Sequence, residues 1–148
     1  MLSSLGRIAP MNDDSQVAEA WNGWSLVKDF SWGYFVTLTF PLTESRDGAA
    51  KAWRVFSSKL AQVNGLSANQ ARRTGLPWIR SIEQHGNGSS HIHALISGAT
   101  SKSISDTWTK LISKGAKISI SPFDKTRYAI GYLAKENDVE VSNYFLKA

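Results

Sequence analysis

The amino-acid sequence predicts an α+β fold in which a central antiparallel sheet of about five strands is flanked by helices. Short runs that alternate apolar and polar residues predict strands, and longer runs with apolar residues every three or four positions predict helices. These runs follow one another in the order strand, helix, strand, strand, helix, strand, helix. The 148 residues are enough for one domain with its own hydrophobic core.

The strongest strand signal covers residues 33–40, which are mostly β-branched or aromatic and end before a proline. Because this run is apolar on nearly both faces, we expect the strand to lie in the interior of the sheet. Before it, residues 1–32 are expected to form a helical extension. The helix of this extension would be capped by Asp14 or Ser15 and would end near Asp29.

Two amphipathic helices are predicted in the core of the chain. The first covers residues 49–62, and the second covers residues 103–114 and ends before Gly115. The buried stripe of the first helix is expected to contain Ala52, Trp53, Phe56, Leu60 and Val63. The inward residues of the second helix are expected to be Ile104, Trp108, Leu111 and Ile112.

The remaining segments complete a single domain, residues 1–148. Residues 64–76 are predicted to be a polar loop, and residues 116–121 alternate as a strand. Residues 138–148 form a tail that is either an edge strand or a packed segment. The domain therefore consists of the N-terminal extension, a core of residues 33–137 and this tail.

A β-hairpin is predicted for residues 78–96, where two alternating runs flank a Gly-Asn-Gly-Ser-Ser turn. In the second strand, His91 and His93 point to the same face. If the five turn residues form the loop, His85 pairs with His91, and Glu83 pairs with His93. Paired residues have Cβ atoms about 5 Å apart. This register would gather Glu83 and all three histidines of the chain on one face.

Glu83, His91 and His93 are therefore candidate metal ligands. A single histidine on a strand is usually a satisfied polar residue, but two histidines with a carboxylate across the hairpin are typical of a metal site. Such a set leaves open positions on an octahedral ion, which suits Mn²⁺ or Mg²⁺. His85 could replace Glu83, act as a fourth ligand or orient Glu83. We favour Glu83 because hard divalent ions prefer oxygen ligands.

Residues 127–137 predict a helix that carries a second chemical element. Tyr128, Tyr132 and Lys135 are spaced at i, i+4 and i+7, so they share one helical face. The two tyrosines could simply pack with their hydroxyls at the rim. Beside a metal site, however, a phenol can act as a nucleophile, because a cation polarises the electrophile and a nearby positive charge stabilises the phenoxide. This chemistry favours attack of tyrosine on a phosphodiester.

Three motifs appear in order along the chain: Phe35-Val36-Thr37-Leu38-Thr39-Phe40, then His91-Ile92-His93, then Tyr128 with Tyr132 and Lys135. Together they resemble the three motifs of the HUH endonuclease superfamily, over about residues 33–137. Glu83 stands where replication initiators of that family place their third metal ligand. The spacing of the two tyrosines is similar to that of rolling-circle replication initiators (Rep proteins) of small phages and plasmids, and of some transposases.

The resemblance implies an RRM-like, ferredoxin-like fold and a nicking activity on single-stranded DNA at an origin hairpin or nick site. Tyr132 would attack the scissile phosphate, remain on the 5′-phosphate and release a 3′-hydroxyl. Tyr128 would be the second nucleophile, and Lys135 would stabilise charge. Cutting and rejoining would initiate rolling-circle replication without ATP.

Composition favours a polyanionic partner, since the net charge is +5 and the isoelectric point is about 9.6. Candidate nucleic-acid contacts are Arg72, Arg73, Lys125, Arg127, Thr37 and Thr39. For the arginine pair, a solvated loop is the alternative. Bases would stack on aromatic side chains. A host helicase and polymerase are further expected partners of a monomeric protein.

The expected location is the cytoplasm of a bacterial host, with the protein encoded by a phage, a plasmid or another mobile element. The sequence contains no cysteine and shows neither a transmembrane run nor a secretory signal. We therefore expect no membrane association.

Other functions remain open at this stage. A transposase or relaxase-type strand transferase would use the same chemistry. A non-catalytic RRM-like nucleic-acid-binding module would tolerate the loss of Tyr132 and bind without metal. A non-haem iron oxygenase also uses two histidines and one carboxylate, but that site usually lies in an all-β barrel. A metal-independent phosphoesterase with paired His-x-Thr motifs is disfavoured, because His93 is followed by Ala94 and Leu95.

Overall fold

A computed structural model describes residues 7–8, 30–84, 86, 88–112, 115–124 and 138–146. Over these residues the chain forms one antiparallel sheet with the strand order β1-β6-β3-β4-β2-β5, where the labels follow the chain. The strands are β1 Arg7–Ile8, β2 Tyr34–Thr39, β3 Trp78–Gln84, β4 Ser90–Ile96, β5 Lys117–Pro122 and β6 Asp138–Val141. Because β1 has only two residues, five strands make up most of the sheet, which confirms the predicted α+β class.

Three α-helices accompany the sheet within the described residues: α1 Arg46–Val63, α2 Ala68–Arg73 and α3 Ser101–Ile112. A short 3₁₀ helix, Asn143–Phe145, follows β6. Helix α1 begins where the Ser45 hydroxyl accepts a hydrogen bond from the backbone N–H of Gly48, at 3.0 Å. Of the described helices, none combines the length and the apolar character that crossing a membrane requires.

Helix α2 corrects the prediction of an irregular loop over residues 64–76. Its start is a capping box, in which the Ser67 hydroxyl accepts from the backbone N–H of Gln70 and the Gln70 side chain accepts from the backbone N–H of Ser67. The helix has only six residues and buries none of them. It therefore lacks the apolar periodicity by which longer helices are predicted.

The main core lies between one face of the sheet and helices α1 and α3. In this core Phe56 packs against Trp53 and Trp108, with ring centroids 5.3 Å and 5.6 Å apart. Most of the predicted stripe of α1 is confirmed, but Val63 is 64% exposed and Ala61 is buried in its place. The α3 residues Ile104 and Trp108 are fully buried, as predicted, and the other two inward residues are partly buried.

The hairpin β3–β4 forms as predicted, but its register differs. Glu83 lies opposite His91 rather than His93, and Ser81 lies opposite His93. Residues 85–89 connect the two strands, so the loop begins and ends one residue earlier than predicted. Because the register changes by two residues, an even number, the same side chains still share a face.

Other predictions meet the structure at the strands and fail to meet it elsewhere. The strands over residues 33–40 and 116–121 are confirmed as β2 and β5. The tail forms β6, which pairs with β3 on one side and with β1 on the other. The predicted helices that end near Asp29 and that cover residues 127–137 lie outside the described residues.

Candidate metal centre and active site

The face of the sheet that is turned away from the helices has an apolar half and a polar half. The apolar half belongs to a second buried cluster, formed by Trp32, Ile79, Leu95, Val139 and Val141. The polar half lies toward the end of the sheet at which the β3–β4 loop begins. We call this surface the open face, and its polar half carries the candidate metal ligands.

Two cross-strand rows form the polar half, because directly paired residues of neighbouring strands share a face. The first row, read from β3 across β4 to β2, is Ser81, His93 and Thr37. The second row, in the same order, is Glu83, His91 and Thr39. The alternation of β2 explains this pattern, because its apolar residues turn to the helices and its threonines turn to the site.

His93 is held at both ring nitrogens. Its Nδ1 lies 3.1 Å from the Thr37 hydroxyl oxygen, and its Nε2 lies 3.0 Å from Oε1 of Glu83. The imidazole is nearly buried, with 7% of its residue surface exposed, and the Glu83 carboxylate is about one-third exposed. The ring orientation is therefore set from two sides, while the carboxylate remains accessible from solvent.

The Glu83–His93 pair suits a divalent ion. Two neighbouring ligands of an octahedral ion at about 2.1 Å stand about 3.0 Å apart, and Glu83 Oε1 and His93 Nε2 are 3.0 Å apart. His91 is placed for a third ligand, directly opposite Glu83 and partly exposed. Within the described ranges, no three His, Cys, Asp or Glu side chains are already arranged as a metal-binding group. His85 lies outside those ranges.

Comparison with known proteins identifies the family. The model of the replication-associated protein ORF2 family matches residues 33–138, which is well over half of the chain. The chain belongs to this family. No curated protein and no solved structure matches it. The protein is therefore a Rep-like, replication-associated protein with a role in DNA replication, and its partner class is DNA.

The matched range of this Rep-family chain contains each candidate site element. It includes β2 with Thr37 and Thr39, the whole hairpin, and the segment with Tyr128 and Tyr132. Tyr128, Tyr132, Lys135, Lys125 and Arg127 lie outside the described residues.

The described ends of the tyrosine segment lie on either side of the hairpin. Strand β5 ends at Pro122, and β6 begins at Asp138. In the sheet order, β3 and β4 stand between these two strands. The chain that carries both tyrosines therefore connects the two sides of the strand pair that carries Glu83, His91 and His93.

The structure does not bring the predicted arginine pair of this Rep-family protein to the open face. Arg72 and Arg73 lie at the end of α2, which packs on α1 in the helical layer, and both are exposed. Arg72 donates from Nη2 to the side-chain oxygen of Asn69, at 2.8 Å. Any DNA contact of these arginines would therefore lie on the side of the sheet away from the candidate ligands.

Ser81 is a site residue that the sequence reasoning missed. It lies directly opposite His93 and is fully buried, and its hydroxyl has no hydrogen-bond partner in the described structure. The strand alternation that selected Glu83 also places the residue two positions earlier on the same face. A serine attracted no attention there because it is a weak metal ligand and a common strand residue.

Proposed function

We propose that this protein is a metal-dependent endonuclease of the HUH type, which nicks and rejoins single-stranded DNA through a 5′-phosphotyrosine and so initiates rolling-circle replication. The observation that carries this proposal is the contact between Glu83 and His93, at 3.0 Å, with His91 in register opposite Glu83. The family match supports it, because a replication-associated protein acts on DNA.

Glu83, His91 and His93 would hold one divalent ion, Mn²⁺ or Mg²⁺. When bound there, the ion supplies a positive charge that polarises a non-bridging oxygen of the scissile phosphate. The three ligands leave further coordination positions open for substrate oxygens. His85 stays an additional candidate ligand or a residue that orients Glu83.

Thr37 would act as a positioning residue for His93. A hydroxyl can both donate and accept a hydrogen bond, so it can serve either tautomer of the ring. With Nε2 free to bind a cation, the ring proton is on Nδ1, and Nδ1–H donates to the Thr37 oxygen, 3.1 Å away. This hydrogen bond keeps the lone pair of Nε2 directed at the site.

Tyr132 would be the first nucleophile. Its phenolic oxygen forms a bond to phosphorus, the bond between phosphorus and the 3′-oxygen breaks, and the 3′-oxygen takes up a proton. Lys135 would stabilise the phenoxide that attacks. The phosphotyrosine ester conserves the energy of the broken bond, so a hydroxyl can reverse the reaction. Tyr128 would repeat the attack after one round of synthesis.

A cleavage assay tests the proposal directly. The chain is incubated with Mn²⁺ and a pool of labelled single-stranded oligonucleotides that includes hairpin-flanked sequences. A protein–DNA adduct that survives denaturation is the expected product. It should require Mn²⁺ and should be lost in Tyr132→Phe and in His93→Ala, because the first removes the nucleophile and the second removes a ligand.

The variants also separate the alternatives. Tyr128→Phe should still form the first adduct, and an adduct that is lost in Tyr128→Phe but kept in Tyr132→Phe would reverse the two roles. Val55→Ala, at a half-exposed position on α1, is the matched control and should react like the parent protein. Tight DNA binding without any adduct, on a native origin sequence as well, would instead identify a non-catalytic binding module.

A further inference from the structure

The edge strand β5 extends the open face beyond β2. Alternate residues of β5 share this face with the candidate ligands, since each is directly paired with a β2 residue of the open face. All of them are exposed, and they are Lys117, Ser119 and Ser121. The isoleucines between them are partly buried against the helical core. The surface beside the site is therefore polar and open to solvent in this direction.

One cross-strand row connects Lys117 with the candidate metal ligands. Lys117 pairs with Thr39, Thr39 pairs with His91, and His91 pairs with Glu83. Neighbouring strands lie about 4.8 Å apart, so the backbone of Lys117 is about 10 Å from that of His91. A lysine side chain is a flexible four-carbon stem that carries a compact positive charge. Its ammonium group can therefore reach a phosphate that lies next to the one bound at the ligands.

Charge distribution makes Lys117 distinctive. Among the described strand residues on the open face, it is the one lysine or arginine. The other basic side chains of the described helices, such as Lys51 and Arg72, lie in the helical layer behind the sheet. The ammonium of Lys117 forms no hydrogen bond or ion pair within the described residues, so it is free to bind an anion.

We propose that β5 is the binding track for the DNA strand next to the scissile phosphate, with Lys117 contacting the neighbouring phosphate. Ser119 and Ser121 continue the track, and their hydroxyls donate hydrogen bonds to the sugar–phosphate backbone. Such contacts position the strand without reading its sequence. This inference rests on the proposed function, because it assigns the substrate strand of the same site a path across the sheet.

Lys117 has a competing structural explanation. Edge strands often carry lysine because its charge prevents edge-to-edge association of sheets. A guard of this kind acts against self-association and contributes nothing to DNA binding. The two roles differ in one measurable quantity, the salt dependence of DNA affinity. For single strands, the logarithm of the binding constant falls with the logarithm of salt concentration by about 0.7 for each phosphate contact.

The test measures binding of a fluorescein-labelled, mixed-sequence single-stranded oligonucleotide by anisotropy, without divalent ions so that no cleavage occurs. The full chain, Lys117→Ala, Lys117→Arg and Lys51→Ala are titrated over a range of salt concentrations. Size-exclusion chromatography on the same samples reports self-association. Lys51 is the matched control, since it is an exposed lysine on α1 in the helical layer.

We expect Lys117→Ala to bind more weakly and to reduce the magnitude of the salt slope by about 0.7, while Lys117→Arg and Lys51→Ala retain the parent slope. A parent-like slope in Lys117→Ala overturns the inference, and self-association of that variant would then identify the guard role. If the unmodified chain itself binds no single-stranded DNA, the proposed function fails as well. That result is distinct from the failure of Lys117 alone.

Discussion

The two faces of the sheet are formed by the same strands but differ in what their side chains do. In β2, Val36 and Leu38 are fully buried against the helices, whereas Thr37 between them contacts His93 on the open face. In β4, Ile92 is fully buried beneath the helices and lies between the two histidines. Strand alternation thus lets one face supply stability while the other supplies chemistry. Substitutions on the two faces should therefore have separable effects.

The largest effect on stability is expected on the helical face. Phe56→Ala removes a fully buried ring that packs between Trp53 and Trp108 and leaves a cavity. The loss should be about 3–5 kcal/mol of unfolding free energy. Urea denaturation followed by tryptophan fluorescence measures it, and Val55→Ala on the same helix should change stability little. If the folded fraction of Phe56→Ala formed no adduct with DNA, the separation of the two faces would be wrong.

A smaller effect is expected where a buried charge joins β3 to β6. Arg80 is 1% exposed, and its Nη1 donates to both the backbone oxygen and Oδ1 of Asp138, at 3.0 Å and 3.1 Å. Asp138→Asn leaves the Arg80 charge with Glu140 at 3.6 Å as its remaining carboxylate among the described residues. Removing one partner of a buried pair costs up to several kcal/mol, and Glu140 should limit the loss to about 2 kcal/mol.

The double variant Arg80→Met, Asp138→Asn is the control for this pair. It removes the buried positive charge together with its partner, so it should be more stable than Asp138→Asn alone. Chemical denaturation of the four proteins in the cycle gives the coupling energy. Equal stability of the single and double variants would show that the Arg80 charge is not buried at a cost.

Local patterns in the sequence were sufficient to predict the strands, the hairpin and the shared face of Glu83, His91 and His93. Alternation determines on which face a residue lies, and this parity survived a register error of two residues. The register itself depends on where the chain reverses. The Gly-Asn-Gly-Ser-Ser run contains turn-forming residues at every position, so it does not specify the loop ends.

Contacts between distant segments could not be predicted from the sequence. Lys117 joins the row of His91 only through the pairing of β5 with β2, and Arg80 meets Asp138 only through the pairing of β3 with β6. Neither pairing leaves a signal in a single sequence, because the strands involved are separated by many residues and alternate like any others. The neighbours of the candidate site therefore emerge from topology, while its central residues emerge from spacing.

The smallest of these effects should distinguish chemistry from stability on the open face. Thr37→Val keeps the shape of the side chain but removes the hydroxyl that lies 3.1 Å from Nδ1 of His93. Losing such a partner of a metal-binding histidine typically lowers metal affinity 10- to 100-fold, and we expect about tenfold here, since Glu83 still orients the ring. The unfolding free energy should change by only about 1 kcal/mol, the usual contribution of one hydrogen bond.

Titration with Mn²⁺, followed by electron paramagnetic resonance of the free ion, measures the metal affinity of this variant without reference to cleavage. Thr37→Ser retains a hydroxyl and should restore most of the affinity, which a purely structural role of the threonine methyl group would not explain. Parent-like Mn²⁺ affinity in Thr37→Val would contradict the positioning role. The threonine would then belong to the strand alone, and the orientation of His93 would depend on Glu83.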